Sequence, residues 1–211
     1  MRYYNADGGE AEMCGNGARC FGNFAAALLH HDKTAPLPFE TMAGVVTATF
    51  EKDDNVTVNL TNPHSMQLFV LNADPTVGAD VHFLNTGVPH AVAFLDKLEG
   101  LDISRLGAYL RYHEAFSPKG TNANFARILS PGHIAIRTYE RGVEDETLAC
   151  GTGMTACALL HAVLADAPSP IQVDVAGGDT LKVGFQRTGD RFTDVTLTGP
   201  ADLVFTGDIQ I

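Results

Sequence analysis

Cysteine is scarce in this chain: four in 211 residues, at Cys14, Cys20, Cys150 and Cys157. A chain this long and this poor in cysteine is not a disulfide scaffold and reads as intracellular. Basic residues are few as well, 14 Lys and Arg against 25 Asp and Glu, for a formal net charge of −11. That balance lacks the basic footprint of a nucleic-acid-binding protein and argues against attraction to anionic membranes. It does not constrain a small-molecule site, which can be locally positive inside an acidic protein. Long apolar runs are missing: none approaches the ~18–20 residues that a membrane span needs. Met1-Arg2-Tyr3-Tyr4-Asn5-Ala6-Asp7 has no apolar stretch of the kind that opens a secretory signal. Cytoplasm is the expected location. What is present, 45% hydrophobic and 18% charged residues, reads as a soluble globular chain with one large or two small domains.

Two segments repeat each other around a cysteine. Cys14-Gly15-Asn16-Gly17 runs into Ala18-Arg19-Cys20-Phe21-Gly22-Asn23-Phe24-Ala25-Ala26-Ala27-Leu28-Leu29. Cys150-Gly151-Thr152-Gly153, 136 residues further on, runs into Met154-Thr155-Ala156-Cys157-Ala158-Leu159-Leu160-His161. Each is a Cys-Gly-polar-Gly turn opening an apolar helix, and a long-period repeat of one unit suggests two similar half-domains facing each other.

The first helix is expected over 16–31, from the spacing of Phe21, Phe24, Ala25, Leu28 and Leu29, and Pro36 and Pro38 stop any continuation. Strands are expected between Phe39 and Leu71, with a turn at Asp53-Asp54-Asn55. A hairpin pairs Val81–Asn85 with His90–Phe94 across Thr86-Gly87-Val88-Pro89. Asp102 caps a helix over 103–115 with Ile103, Leu106 and Leu110 inward. Strands follow at Asn124–Leu129 and His133–Tyr139, the second apolar helix over 152–165, then strands at Ile171–Val175, Leu181–Phe185, Phe192–Thr198 and Asp202–Thr206. The expected division is residues 1–74, with 200–211 returning to it, and 75–199, the boundary lying at Asn72-Ala73-Asp74-Pro75.

A Cys-Gly-x-Gly helix start supplies a specific chemistry. First-turn N–H groups lack intrahelical partners, and the helix dipole is positive there. Glycines let that backbone close on a carboxylate, and a thiolate is stabilised at such an end. If two such ends face one another, they grip one carboxylate and offer a thiol on each side of its α-carbon. One cysteine takes the α-proton as thiolate and the other returns a proton as thiol, which inverts the stereocentre. Preorganised N–H groups stabilise the enediolate charge that develops between the two steps. No metal or pyridoxal is needed. A lone cysteine more often fills a core; duplication of the turn sets Cys14 and Cys150 apart. Cys20 and Cys157 fall on the helices without a glycine turn and read as packing residues.

Rival uses fit less well. The Cys-x5-Cys and Cys-x6-Cys spacings are not those of zinc modules. Neither turn carries the Gly-Lys-Ser/Thr ending of a phosphate loop, and Gly15-Asn16-Gly17-Ala18-Arg19-Cys20 lacks the third glycine of a dinucleotide fingerprint.

The stretch Tyr4-Asn5-Ala6-Asp7-Gly8-Gly9-Glu10-Ala11-Glu12-Met13-Cys14-Gly15-Asn16-Gly17-Ala18-Arg19-Cys20 is very similar to the first active-site signature of the diaminopimelate epimerase family. Tyr139-Glu140-Arg141-Gly142, through Glu146-Thr147-Leu148-Ala149-Cys150-Gly151-Thr152-Gly153, resembles the second. Pro118-Lys119-Gly120-Thr121-Asn122 and Gly87-Val88-Pro89-His90 match further family segments. The resemblance implies an α/β fold of two pseudo-symmetric half-domains, each a mixed or antiparallel sheet wrapped around a central helix. It implies a pyridoxal-independent isomerase that interconverts LL- and meso-diaminopimelate in lysine and peptidoglycan precursor synthesis, with no cofactor and no metal. Cys14 and Cys150 would be the acid/base pair, and Gly15-Asn16 and Gly151-Thr152 the carboxylate cradles. Asn5, Asn122, Glu140 and Arg141 would bind the substrate's amino groups and distal carboxylate, Arg141 being suited to a bidentate grip. His90 and Glu140 would tune the protonation of the cysteines. The plainer alternatives are a strand-end histidine satisfied by backbone at His90, a surface ion pair at Arg141, and a solvated loop at Glu144-Asp145-Glu146. Family members often dimerise, so a homodimer is an expectation.

Three departures stand against the family pattern. The chain starts almost at the first signature, where members have several dozen more residues, including opening strands and two polar substrate contacts, an Asn and a Gln. An incomplete first half is therefore expected, with an exposed apolar edge. Val88 stands where many members carry a substrate-binding Asn, and the loop from Glu140 to Cys150 is one residue longer than the commonest form, a change that surface loops tolerate. Two other readings stay open: a racemase of the same fold acting on proline or hydroxyproline, and a non-catalytic remnant whose Cys14 and Cys150 form a disulfide.

Overall fold

Both Cys-Gly turns open helices. The computed structural model describes residues 1–4, 8–11, 13–52 and 54–208. In chain order its elements are β1 (Tyr3–Tyr4), β2 (Glu10–Ala11), α1 (Gly15–Leu28), β3 (Leu37–Thr41), β4 (Gly44–Phe50), β5 (Val56–Asn59), β6 (His64–Asp74), β7 (Ala79–Asn85), β8 (Pro89–Phe94), α2 (Ile103–Arg111), a 3-10 turn (Glu114–Phe116), β9 (Asn122–Ser130), β10 (His133–Glu140), β11 (Asp145–Thr147), α3 (Gly151–Ala165), β12 (Ile171–Asp174), β13 (Thr180–Thr188) and β14 (Arg191–Gly199). They form two units, Met1–Asn59 with Thr198–Ile211, and Leu60–Leu197. Each is a largely antiparallel sheet packed on a long helix, the α/β architecture expected.

In the first unit β3, β4 and β5 pair antiparallel in order, with Phe39 opposite Val46 and Ala48 opposite Val58. The helix α1 lies on them through Ala18, Gly22, Ala25 and Ala26, an i, i+4, i+7, i+8 stripe. Gly22 is required there, because a Cβ on it would sit 2.7 Å from that of Ala48. Arg19 is buried; it donates to Asn16 Oδ1 at 3.0 Å and to Pro200 O at 3.4 Å, while Asn23 Nδ2 donates to Ala201 O at 2.7 Å. These bonds fasten the tail to α1. Two expectations fail in this unit. Cys20 is exposed, not packed. The strand expected at Asp202–Thr206 is absent: these residues have no regular structure, and Leu203, Val204 and Phe205 face solvent. An apolar run without a ladder partner has nothing to pay the entropy of ordering it.

The second unit carries the strand order β6-β7-β8-β9-β10-β12-β13-β14, with β11 added on β10. β8–β9 and β10–β12 are parallel pairs. Helix α3 has no charged residue and is apolar all round, so only a fully enclosed position suits it. It packs against β7, β8, β9, β10, β12 and β13. Helix α2, capped by Asp102 Oδ1 accepting from Arg105 N at 3.1 Å, covers β9, β10 and β11. Ile103, Leu106 and Leu110 join Val81, Ala91, Ala93, Phe125 and Tyr139 in that core. The edge strand β6 slips register against β7 three times, with Ser65, Phe69 and Ala73 left-handed at every fourth residue. Such bulges make a poor template for adding another strand.

Candidate functional site

The Cys14 turn belongs to the first unit. Cys14 is the N-cap of α1, in extended backbone, and its Sγ accepts from Gly17 N at 3.3 Å. Ala18 N donates to Cys14 O at 2.8 Å, the first bond of the helix. Gly15 is buried and Asn16 half-buried in this first turn, where N–H groups lack intrahelical acceptors. Asn5 lies outside the described residues.

The Cys150 turn belongs to the second unit. Cys150 is the N-cap of α3 with only 7% of its surface exposed, and its Sγ lies 3.5 Å from Thr152 Oγ1. Met154 N donates to Cys150 O at 2.9 Å, which starts the helix. Gly151 is buried, Thr152 is half-buried, and Thr152 O accepts from Thr86 Oγ1 at 2.9 Å, so the β7–β8 turn is tied to the helix start.

The remaining predicted residues of this unit cluster at strand ends. Asn122, at the start of β9, donates from Nδ2 to Pro89 O at 2.9 Å and accepts from Arg141 N on Oδ1 at 2.8 Å. One carboxamide thus holds together the start of β8, the start of β9 and the end of β10. Glu140 accepts from Thr147 Oγ1 at 3.0 Å. Burial raises its carboxyl above the ordinary range, and the Thr147 bond opposes the shift. Arg141 donates to Lys119 O at 3.3 Å; burial, then the Arg111 charge, lowers it, against Glu144. His90 is fully buried. Burial, then the Arg141 guanidinium, pushes its pKa down to about 3, so the ring is neutral at neutral pH. Cys157 is fully buried too, and burial raises its thiol strongly, which suits packing.

The acidic run is exposed at Glu144 and Asp145, as a solvated loop would be, but Asp145 and Glu146 lie on β11 and each acid has a partner. Glu146 takes a bidentate grip from Arg137 at 2.7 and 2.6 Å, Asp145 accepts from Ser104, and Glu144 pairs with Arg111 at 3.1 Å while accepting from Tyr112. Pairing of β11 with β10 sets these acids beside side chains that a run of three acids does not advertise. Sequence reasoning also missed Asn124, buried beside His90, Thr138, buried beside Asn124, and Thr86. A signal existed for Asn124: it lies two residues from Asn122 on one strand, so the two amides share a face. Among the described residues no group of three or more His, Cys, Asp or Glu is placed to hold a metal ion, and no helix is long and apolar enough to cross a membrane.

A sequence profile of the family described as diaminopimelate epimerase matches residues 1–66 and 82–204. A diaminopimelate epimerase of Hydrogenobaculum sp. (strain Y04AAS1) is 43% identical over 210 residues, covering 97% of this chain and 73% of that protein. Among solved structures, a Bacillus anthracis phenazine biosynthesis protein of the PhzF family superposes with a TM-score of 0.69 at 14% identity, over 95% of this chain and 76% of its own. A probable proline racemase from Agrobacterium radiobacter K84 gives 0.67 at 20% identity, over 93% and 67%. At those identities the two structures share the fold. The profile and the epimerase relative go further: this chain belongs to the diaminopimelate epimerase family of isomerases.

Proposed function

We propose that this protein interconverts LL- and meso-diaminopimelate, with Cys14 and Cys150 as the acid/base pair that removes the α-proton from one face and returns a proton to the other. The observation that carries the reading is the repeated helix start: each cysteine is the N-cap of a helix whose second residue is polar and whose first and third are glycine. In the LL-to-meso direction one thiolate removes the α-proton, the electron pair moves into the carboxylate, and the other thiol delivers its proton to the opposite face. First-turn N–H groups bind the carboxylate and stabilise the enediolate charge at the moment it forms. Gly15 and Asn16 serve that role on α1, and Gly151 and Thr152 on α3.

The distal end of the substrate is a second amino acid group, and the second unit offers complementary chemistry. Arg141 is a fork-shaped donor for a carboxylate. Glu140 is a partly desolvated carboxyl whose shift has no cationic contributor among the described residues, and a substrate ammonium supplies one. Asn5 and Asn122 complete the polar set in this assignment, and His90 with Glu140 sets the protonation of the cysteines. Val88 offers no side-chain hydrogen bond, so the backbone and Asn122 carry that side of the substrate.

Proton exchange in D₂O tests the proposal. The fully reduced chain is incubated with LL-diaminopimelate and, in parallel, with L-proline, and loss of the α-proton signal is followed by NMR. Exchange is expected with diaminopimelate alone, and is expected to vanish in Cys14→Ala and in Cys150→Ala. Exchange with proline would move the substrate assignment to the proline-type racemases. A folded, reduced protein inactive on both would refute the catalytic reading.

A further inference from the structure

The β8–β9 pair holds a buried polar chain that the reading above does not use. Asn124 is fully buried, and every polar atom of its carboxamide is engaged. Nδ2 lies 3.0 Å from Ala91 O and 3.1 Å from His90 Nδ1, and Oδ1 accepts from Thr138 Oγ1 at 3.0 Å. A backbone carbonyl only accepts, so the atom facing Ala91 O is the amide nitrogen. Its first hydrogen goes to Ala91 O and its second to His90 Nδ1. That ring nitrogen therefore carries a lone pair, and the single proton of the neutral imidazole sits on Nε2. Turning the carboxamide over would set oxygen against the Ala91 oxygen and strip Thr138 of its acceptor.

We infer that Asn124 is a positioning residue that locks His90 in the neutral Nε2–H tautomer, so that the ring donates from Nε2 and cannot take a proton there. This rests on the reading that His90 belongs to the reaction site. Two observations support it beyond the tautomer itself. His90 Nε2 is buried and makes no hydrogen bond among the described residues. An unmatched N–H in a core is costly, and native structures keep few of them without a reason. A substrate that brings an acceptor to this N–H supplies one. The second observation is a shared boundary: a Cβ on Gly153 would lie 2.4 Å from Asn124 Oδ1 and 3.4 Å from Cys150 Sγ. The carboxamide that fixes His90 therefore occupies the side-chain space of the last glycine in the Cys150 turn. Burial and the Arg141 charge keep the ring uncharged, and with the amide nitrogen facing it an imidazolium would point its Nδ1–H at the Asn124 amide hydrogens.

The test uses the full chain labelled with ¹⁵N-histidine, the His90 ring being assigned by its absence in His90→Gln. In the wild type the ring nitrogens are expected to report Nε2–H at neutral pH; an Nδ1–H ring or an imidazolium overturns the inference. In Asn124→Ala the fixed tautomer is expected to become a mixture, and kcat for α-proton exchange to fall roughly tenfold or more. KM should stay within about threefold, the pattern of a lost transition-state interaction. In Asn124→Asp, whose carboxylate only accepts, the proton is expected to move to Nδ1, with the same loss in kcat. Wild-type kcat in a folded Asn124→Ala overturns the inference while the proposed reaction stands. If neither Asn124 variant folds, Thr138→Val takes their place, because it frees Oδ1 at nearly constant volume; an unchanged ring and an unchanged kcat there would count against the inference. If the wild type exchanges no α-proton of diaminopimelate, the substrate assignment fails first, and the ring nitrogens of the wild type and Asn124→Ala alone decide the role of Asn124.

Discussion

The helix after Cys14 and the helix after Cys150 begin alike and are buried differently. Both start at an extended cysteine N-cap followed by Gly-polar-Gly. From Gly151 to Ala162 every residue of α3 except Thr152 is buried. Helix α1 buries one stripe only, and its opposite face carries Cys20, Phe24 at 59% exposure and Leu28 at 65%. The difference lies in what surrounds each helix inside its own unit: six strands pack on α3 and three on α1. Chemistry at a helix N-terminus depends on the first turn, which is shared. Stability depends on the flanks, which are not. A duplicated signature can therefore keep one reaction geometry while its two copies contribute unequally to the core.

The comparison breaks most visibly at one leucine from each helix. Leu160→Ala empties part of an enclosed core and is expected to cost about 3 kcal/mol. Leu28→Ala, on the exposed stripe of α1, is expected to change stability by less than about 0.5 kcal/mol. Urea unfolding of the two variants measures both; equal losses would mean that α1 is as enclosed as α3. A subtler contrast lies in the third residue of each turn. Gly153→Ala drives a methyl into the Asn124 carboxamide at Oδ1, a carboxamide that three hydrogen bonds hold in place, and is expected to destabilise by about 2 kcal/mol. A Cβ on Gly17 meets Cys14 at 3.5 Å and Tyr3 at 3.6 Å, ordinary contact distances. Gly17→Ala should therefore gain roughly 0.5 kcal/mol from helix propensity. Thermal midpoints of the pair, read in opposite directions, would establish the asymmetry.

Much of this was legible in the chain. The repeat located both helix starts, because a Cys-Gly-x-Gly turn before an apolar run leaves the backbone few alternatives. The hairpin 81–94 and the Asp102 cap followed from local rules, and the structure has Val81 opposite Ala93 and Asp102 on Arg105 N. What failed depended on distant partners. Residues 202–206 carry the strand formers Val204, Phe205 and Thr206, yet no ladder receives them. Cys20 has the periodicity of a core residue and the wrong face. The partners of Glu144 and Glu146 were hidden because Arg111 and Arg137 lie 33 and 9 residues away in sequence. Asn124 was visible as a residue but its role was not, since a carboxamide matters here through three acceptors and donors on other strands.

The smallest predicted effect tests the part of the two turns that is alike. Cys14 Sγ accepts from Gly17 N at 3.3 Å, so the thiol acts as a weak N-cap. Sulfur is a poor acceptor, and a serine hydroxyl in the same place is a good one. Cys14→Ser should therefore stabilise the first unit by about 0.5 kcal/mol. The side chain of Cys150 makes no cap bond to its helix and lies against Thr152 Oγ1 instead. Cys150→Ser has no backbone N–H to gain, and it places a hydroxyl where a buried sulfur was, so no gain is expected. Both variants should lose α-proton exchange, because an alcohol is far too weak an acid to serve as either partner. Differential scanning calorimetry on the two variants separates the outcomes. A gain at Cys14 alone means that the turns differ in how the cysteine is held, and equal gains would mean that the thiol of Cys150 also reaches its helix in solution.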